Sequence, residues 1–443
     1  MEFSNLFFIY LFLPLCIGIY YLAPGDKLKN GILICFSLLF YCLHRPIYVP
    51  LVLGMALQNY YLPRMIRNGR YGVILSMVLN ISVLIVFKLW TTIPFPMGLS
   101  FYVFSLISYQ VDVYRKGEEC KNFWHFLLFV TFFPKMIMGP ITRYAQIAPR
   151  MEHREVDPKA IFYGVLRFVL GLSKKILLAD PLFRLYEQLG THSSWLSVWG
   201  AGLAFMLYIY LEFSGYSDMA LGLGEVFGFS LPENFRKPYT AISVGEFWRR
   251  WHISLGNFFR DYVYIPLGGN RKGISRQILH LFVVWLLTGL WHEISLTFVL
   301  WGMYFFVLLS AEKLLHKYIC RIPAVIRRIF TCVFVYFGWI IFATKDLGSL
   351  FNTIGDMLSF TVTGLGPTLL VLRNSILLLS IGFAISVLYP VWKENHKDRL
   401  INSSLGFRKV AVLTLGLLMV VLLGLCTASL IGNGARPSMY AGF

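Results

Sequence analysis

Charged side chains are scarce in this sequence. Asp, Glu, Lys and Arg make up 14% of the 443 residues and hydrophobic residues make up 57%, whereas soluble domains are about one quarter charged. Such a chain cannot cover a water-soluble surface. Acidic residues are the rarer kind, 22 against 40 basic ones. The basic residues lie in short clusters between apolar runs, which is typical of cytoplasmic loops beside anionic lipid and does not favour a nucleic acid partner.

Several familiar chemical motifs are missing as well. The seven cysteines form no C-x-x-C pair, and the sequence has no G-x-S-x-G, P-loop or H-E-x-x-H motif. Gly222, Gly224 and Gly228 miss the spacing of a dinucleotide fingerprint and are typical of close helix packing. We therefore predict no metal site and no redox cofactor. The absence of an internal repeat disfavours many secondary transporters.

Long apolar runs are what the sequence has in abundance. About 20 apolar residues cross a bilayer as a helix, so the runs predict about eleven spans of an all-α, polytopic membrane protein, with further re-entrant or interfacial helices. We expect one membrane domain over residues 1–443, with the first run kept as a helix because it lacks the marks of a signal peptide. The runs lie at about 3–22, 31–60 (with a break near Pro46 and Pro50), 72–90, 97–112, 160–179, 196–222, 277–291, 295–315, 324–343, 368–392 and 408–431.

The segment from Gly228 to Arg276 differs from a lipid-exposed helix, since it mixes aromatic residues with Arg, Asp, Glu, Asn and His. At membrane depth, such a segment must be buried in protein or line a wet cavity. An amphipathic helix on the membrane surface would have the same composition. Both interpretations remain open from the segment alone.

Two histidines stand out as candidates for proton transfer, because a buried neutral imidazole can act as a base. His292 ends an apolar run beside Glu293, where an ionisable group is costly unless it has a function; a solvated loop is the alternative. His252 follows Arg249 and Arg250. If this stretch is one helix, Arg249, His252 and Gly256 share a face that suits an anionic donor; the alternative is an interfacial helix binding phospholipid.

Seven stretches resemble landmarks of the membrane-bound O-acyltransferase superfamily, in its bacterial branch typified by the alginate O-acetyltransferase membrane subunit. They occur in family order across about residues 100–305, and the block from Phe247 to Arg271 is the most specific. The stretches are YQVDVYR, FFPKMIMGPI, GLSKKILLAD, EFSGYSDMALGLGEVFGF, PENFRKPY, FWRRWHISLGNFFRDYVYIPLGGNR and TGLWHE.

The resemblance implies a helical fold with a funnel to each face of the membrane and a histidine where the funnels meet. By position, His292 matches the catalytic histidine of the superfamily and His252 its second motif position. We predict these two as catalytic residues. The predicted substrate-binding residues are the donor-binding cations and their neighbours, namely Arg249, Arg250, Arg260, Asp261, Glu212 and Trp291.

The sequence departs from the family pattern at three positions. Glu293 stands where Gly is usual, Glu212 where Asp is frequent, and Phe305 where many relatives have a histidine four residues after the tryptophan of a W-G motif. The histidine difference bears on the acceptor or on the relay of the acyl group rather than on the fold.

The resemblance predicts an enzyme of the bacterial cytoplasmic membrane that moves an acyl group, expected to be acetyl, from a cytoplasmic thioester to an exported glycan. Transfer would be direct or through an extracytoplasmic acetyltransferase partner. The donor would be acetyl-coenzyme A or a related thioester, and no cofactor is expected. A D-alanyl transferase for teichoic acid, a transporter or lipid flippase, and a non-catalytic scaffold are the alternatives.

Overall fold

A computed structural model describes residues 2–66, 69–90, 92–117, 119–155, 157–388, 405–434 and 436–438. The regular structure of these residues is helical throughout, with no strand among them, so the predicted all-α fold is confirmed. The chain divides into two compact units: residues 1–172, 216–233 and 422–443 form unit 1, and residues 173–215 and 234–421 form unit 2. The prediction of one functional domain over the whole chain stays a prediction.

Unit 1 is built mainly from the first nine helices of the chain. A π-helical stretch, Phe8–Phe12, leads into the first of them. The carboxyl-terminal ends of two later helices, Trp195–Val226 and Leu405–Asn433, also belong to this unit. The nine helices are α1 (Leu13–Leu22), α2 (Asp26–Cys42), α3 (Val49–Met65), α4 (Gly69–Leu89), α5 (Leu99–Lys116), α6 (Phe123–Thr131), α7 (Phe133–Met136), α8 (Tyr144–Glu152) and α9 (Pro158–Ser173).

Unit 2 contains two π-helical stretches, Lys174–Ala179 and Arg260–Tyr264. The remaining helices are α10 (Asp180–Leu189), α11 (Trp195–Val226), α12 (Val244–Arg250), α13 (Ile253–Phe259), α14 (Ile265–Leu267), α15 (Ile274–His292), α16 (Leu296–Leu314), α17 (His316–Ile319), α18 (Ala324–Ala343), α19 (Leu347–Leu358), α20 (Leu365–Val387) and α21 (Leu405–Asn433).

Within the described parts of the chain, seven helices are long and apolar enough to cross a membrane: α4, α11, α15, α16, α18, α20 and the Val410–Asn433 part of α21. Phe8–Leu22 is a shorter apolar helix. The multi-pass character is thus confirmed, while the count of about eleven spans stays a prediction. The run predicted at 31–60 is divided between α2 and α3 by residues 43–48, as the proline at position 46 indicated. The basic loop predicted between the apolar runs at 368–392 and 408–431 lies largely outside the described residues.

Small residues let helices of unit 1 approach closely. A Cβ on Gly222 of α11 would lie 2.4 Å from the carbonyl oxygen of Gly164 on α9, and a Cβ on Gly164 would lie 2.7 Å from the carbonyl oxygen of Gly222. Only glycine fits such a backbone contact without a shift of the helices. The sequence-based interpretation of close helix packing is confirmed for Gly222, but it was wrong for Gly228, which lies in the turn after α11 with φ 79°.

Unit 2 buries a group of charged side chains. The Lys175 ammonium lies 2.7 Å from Asp180 Oδ1 and 2.9 Å from Glu212 Oε2, and all three side chains are nearly inaccessible. A buried ion pair is not necessarily better than an apolar contact, but removing one partner leaves a buried charge poorly compensated. The group therefore ties α11 to the start of α10.

We expect Lys175→Met to lower the free energy of unfolding by about 3–5 kcal/mol, because it takes the ammonium from between two buried carboxylates. Thermal unfolding of the purified protein in detergent would measure the loss. Lys317→Met is the matched control, since Lys317 is exposed on α17 and surface changes usually alter stability by about 0.5 kcal/mol or less. Equal melting temperatures for the two variants would contradict a stabilising role for the buried group.

Candidate active site

The segment between α11 and α15 folds into short helices that are packed into unit 2. Phe247, Trp251 and His252 are each at most 3% exposed, so this part is buried in protein and is not a surface helix. Ser243 caps α12 by accepting a hydrogen bond from the Glu246 amide. The helix then ends at Arg250, two residues before His252.

His252 does not continue that helix. Its backbone is left-handed, with φ 43° and ψ 54°, and α13 begins at the next residue. The prediction that Arg249, His252 and Gly256 share one face of a single helix was therefore wrong. The three residues nevertheless line one cavity, because the break between α12 and α13 turns both short helices toward it.

Asn234 holds this turn in place. Its side-chain Oδ1 accepts hydrogen bonds from the Ser254 amide at 3.1 Å and the Ser254 hydroxyl at 2.9 Å, and it lies 3.2 Å from His252 Nδ1. The Asn234 carbonyl oxygen accepts a further bond from the Ile253 amide. Because Oδ1 is an acceptor, His252 carries its proton on Nδ1, and Nε2 is the basic nitrogen.

Away from Asn234, the His252 imidazole contacts an apolar side chain. The Phe213 ring meets the imidazole edge to face at 4.8 Å. Burial lowers the pKa of the His252 imidazole well below its ordinary value, so the ring is neutral at physiological pH. It can accept a proton or a hydrogen bond there, but it does not supply a permanent positive charge.

The cavity that His252 lines has a volume of about 460 Å³ and lies within unit 2. Its wall combines three tryptophans, Trp248, Trp251 and Trp285, with three cationic side chains and one carboxylate. This combination suits a ligand with an apolar or thioester end and an anionic end. The polar lining residues are Arg249, His252, Asn257, Arg260, Tyr264, Thr288, Glu312 and Lys313.

His292 is the last residue of α15 and is 5% exposed. Its neighbour Glu293 is exposed, so the two side chains do not form a solvated pair. The imidazole does not line the cavity, but Thr288 does, one helical turn earlier on the same face. The Trp291 ring lies between the two histidines, 4.7 Å from His292 and 6.0 Å from His252.

Aromatic rings enclose His292. Besides Trp291, the imidazole is near Trp301 at 5.1 Å, Phe342 at 5.3 Å and Phe298 at 6.0 Å. We use the term aromatic cluster for the mutually contacting side chains around the two histidines. Its members are Trp248, Trp251, Trp285, Trp291, Phe298, Trp301, Phe305, Trp339 and Phe342.

Two glycines bring α16 against α15 at this position. A Cβ on Gly302 would lie 2.4 Å from the Trp285 carbonyl oxygen, and a Cβ on Gly289 would lie 2.4 Å from the Phe298 carbonyl oxygen. The absence of both Cβ atoms allows backbone contact between the two helices. This contact places Trp301, the residue before Gly302, beside His292.

The other predicted substrate-binding residues lie in different surroundings. Arg249 and Arg260 line the cavity, and Arg260 also pairs with Asp261 at 2.7 Å. Arg250 pairs with Glu246 and donates to Thr240 Oγ1 at 2.8 Å, outside the lining of the cavity. Glu212 belongs to the buried charge group with Lys175, so the structure does not bring it into the cavity wall.

Some cavity residues escaped the sequence analysis. Glu312 and Lys313 line the cavity from the end of α16, and only their position at the end of an apolar run could have drawn attention to them. His280, which is not among the lining residues, was also not singled out by the sequence. Its Nδ1 lies 2.9 Å from the Gly269 carbonyl oxygen, and it thereby holds the glycine turn that follows Tyr264.

Phe305 stands at the position where the resemblance implies a histidine in many relatives. The ring is inaccessible and packs against Trp248 at 4.8 Å, Trp285 at 5.4 Å and Trp301 at 5.4 Å. At this position the chain thus has a packing residue of the aromatic cluster, which cannot transfer a proton.

The chain is similar in sequence to several known proteins. "Probable alginate O-acetylase AlgI" of Pseudomonas fluorescens is 37% identical, over 81% of this chain and 76% of the relative. "Peptidoglycan O-acetyltransferase" of Helicobacter pylori is 29% identical, over 81% of this chain and 80% of the relative. "Teichoic acid D-alanyltransferase" of Bacillus subtilis is 25% identical, over 66% of this chain and 82% of the relative.

The family model for membrane-bound O-acyltransferases matches residues 31–347. This stretch contains both histidines, the whole cavity wall and all of the aromatic cluster. The resemblance found in the sequence is thus confirmed, and with it the class of reaction, O-acyl transfer by a multi-pass membrane enzyme. The chain belongs to the membrane-bound O-acyltransferase (MBOAT) family.

Proposed function

We propose that this O-acyltransferase moves an acetyl group from a cytoplasmic thioester toward a hydroxyl group of an exported polysaccharide. The observation that carries the proposal is the pair of buried histidines beside a cavity whose wall combines aromatic and cationic side chains. The names of the relatives that act on alginate and peptidoglycan support acetyl as the group and a glycan as the acceptor.

In the proposed mechanism, His292 accepts the proton of the acceptor hydroxyl while the hydroxyl oxygen attacks the thioester carbonyl. General base assistance of this kind contributes about 10² to 10⁴ in rate. The same imidazole then returns the proton to the departing sulfur. His252, neutral and with Nε2 as its basic nitrogen, orients a reactant near the tryptophans of the cavity wall.

The proposed donor is acetyl-coenzyme A or a related thioester, which is consumed as a substrate and is not a cofactor. Arg249, Arg260 and Lys313 give the cavity wall the positive charge that binds phosphate groups. The acceptor would lie outside the cytoplasmic membrane of a bacterium. An extracytoplasmic acetyltransferase could take over the acetyl group before the final transfer.

The deciding experiment uses purified protein in liposomes. Acetyl-coenzyme A labelled in the acetyl group is supplied on one side, and consumption of the thioester and formation of O-acetyl ester on a glycan are both measured. Consumption with ester formation supports the proposal. Movement of glycan or lipid without thioester consumption would instead establish the transporter or flippase alternative, and mass analysis of the product separates acetyl from D-alanyl transfer.

Arg249 provides a test of donor binding. We expect Arg249→Gln to raise KM for acetyl-coenzyme A about tenfold with little change in kcat, since a charge-assisted hydrogen bond contributes about 1.5–3 kcal/mol. The difference should shrink at high ionic strength because salt screens the attraction. Arg321→Gln, on an exposed turn, is the matched control and should keep the wild-type KM. A normal KM in the Arg249 variant would remove this residue from the donor site.

A further inference from the structure

Three tryptophans of the aromatic cluster have an indole N–H that meets no hydrogen-bond acceptor among the described residues: Trp248, Trp301 and Trp339. A buried indole N–H usually has a partner, because an unmet donor is costly in an apolar environment. Trp199, outside the cluster, follows that rule and donates to the Met357 carbonyl oxygen at 3.2 Å. These three indole donors lie in the part of unit 2 that surrounds the histidines.

Of these three, Trp301 is the nearest to the proposed chemistry. Its ring is 1% exposed and meets the His292 imidazole edge to face at 5.1 Å. Trp339 is equally buried but contacts Trp251 and Phe342. The contact between Gly302 and the Trp285 carbonyl oxygen fixes the adjacent backbone, so the indole is positioned before any substrate arrives.

An indole N–H can donate a hydrogen bond but cannot accept one. A substrate atom that satisfies it must therefore be an acceptor, such as a carbonyl oxygen. In acyl transfer, that oxygen gains a full negative charge in the tetrahedral intermediate, at the moment when the base beside it has become positively charged. Fixed donors aimed at such an oxygen are among the largest contributions to catalysis.

Another donor near His292 is already engaged. The Thr288 hydroxyl donates to the Val284 carbonyl oxygen at 2.7 Å. In the turn that carries His252, Nδ1 faces Asn234 Oδ1 at 3.2 Å. Neither group is disposed to donate to a new oxygen beside His292.

We propose that the Trp301 indole N–H donates a hydrogen bond to the acyl carbonyl oxygen as that oxygen becomes an oxyanion. The proposal rests on the proposed function. The hydroxyl oxygen forms the new C–O bond while its proton passes to His292, and the carbonyl π electrons move to the oxygen that Trp301 binds. When the intermediate collapses, these electrons re-form the carbonyl, the C–S bond breaks, and the sulfur takes the proton from His292.

The test replaces the N–H while keeping the shape of the ring. Genetic incorporation of 3-benzothienylalanine at position 301 exchanges the N–H for sulfur, and Trp301→Phe is the simpler companion variant. We expect kcat for acetyl transfer to fall about 10²–10³-fold in the benzothienyl variant, with KM for the donor within about twofold of wild type. The same replacement at Trp199 is the matched control, with kcat unchanged.

Retention of kcat in the benzothienyl variant would overturn the assignment of Trp301. This holds even if Trp301→Phe is inactive, because the smaller ring of phenylalanine would then explain the loss of activity. Thermal unfolding of each variant in detergent shows that the protein is folded. Turnover by the wild type and its loss in His292→Ala are measured in the same assay. If wild type itself transfers no acyl group, the proposed function fails; if only the benzothienyl variant behaves like wild type, this inference alone fails.

Discussion

Replacement of His292 by alanine is expected to reduce acyl transfer about 10²–10⁴-fold, because it removes the proposed base from an otherwise intact site. The side chain is buried among aromatic rings and ends α15, so no solvent-exposed group can take over the proton. The measurement is O-acetyl ester formed per unit of protein in liposomes, with thioester consumption followed in parallel.

His316→Ala is the matched control for this variant. His316 is exposed on α17, and its removal should leave the rate unchanged. Full activity in the His292 variant, at wild-type levels of protein in the membrane, would end the catalytic assignment.

Gly302→Val is expected to lower the free energy of unfolding by about 3 kcal/mol and to abolish activity. A Cβ at this position would lie 2.4 Å from the Trp285 carbonyl oxygen, and backbone of a neighbouring helix cannot move aside as a flexible side chain can. Separation of α15 and α16 would displace His292 and Trp301 from one another. Thermal unfolding in detergent and acetyl transfer in liposomes measure the two effects.

Gly416→Val in α21 is the matched control for Gly302→Val, since a Cβ there has no atom within 4 Å. We expect a change of about 0.5 kcal/mol or less and full activity. A Gly302 variant that is as stable and as active as the control would show that the two helices can separate without consequence, contrary to the close backbone contact.

The sequence was sufficient to predict the helical architecture, because hydropathy alone marks a helix that is long enough to cross a bilayer. It also predicted the packing role of Gly222 and the unusual character of the segment from Gly228 to Arg276. These features depend on composition and on local spacing, both of which can be read along the chain. The roles assigned to His292 and His252 remain predictions that the variants above test.

The geometry around His252 could not be predicted in the same way. A helical pattern from Trp248 onward was a reasonable expectation, but the backbone breaks at His252, where Asn234 supplies acceptors that replace the helical hydrogen bonds. That interaction joins positions 18 residues apart, and periodicity carries no information on it. For the same reason, the sequence could not show that Glu312 and Lys313 line the cavity, because that depends on the packing of α16 beside α12.

The left-handed backbone at His252 restricts what this position can become. With φ at 43°, the conformation is accessible to Gly and, among side-chain residues, mainly to Asn, Asp and His, while branching at Cβ makes it strained. The backbone conformation alone therefore limits the substitutions that the fold tolerates at this position to a few short polar residues, whatever catalysis requires. A saturation library at position 252 should consequently separate two kinds of failure: Val and Ile lost through misfolding, and Asn tolerated by the fold but slow in turnover.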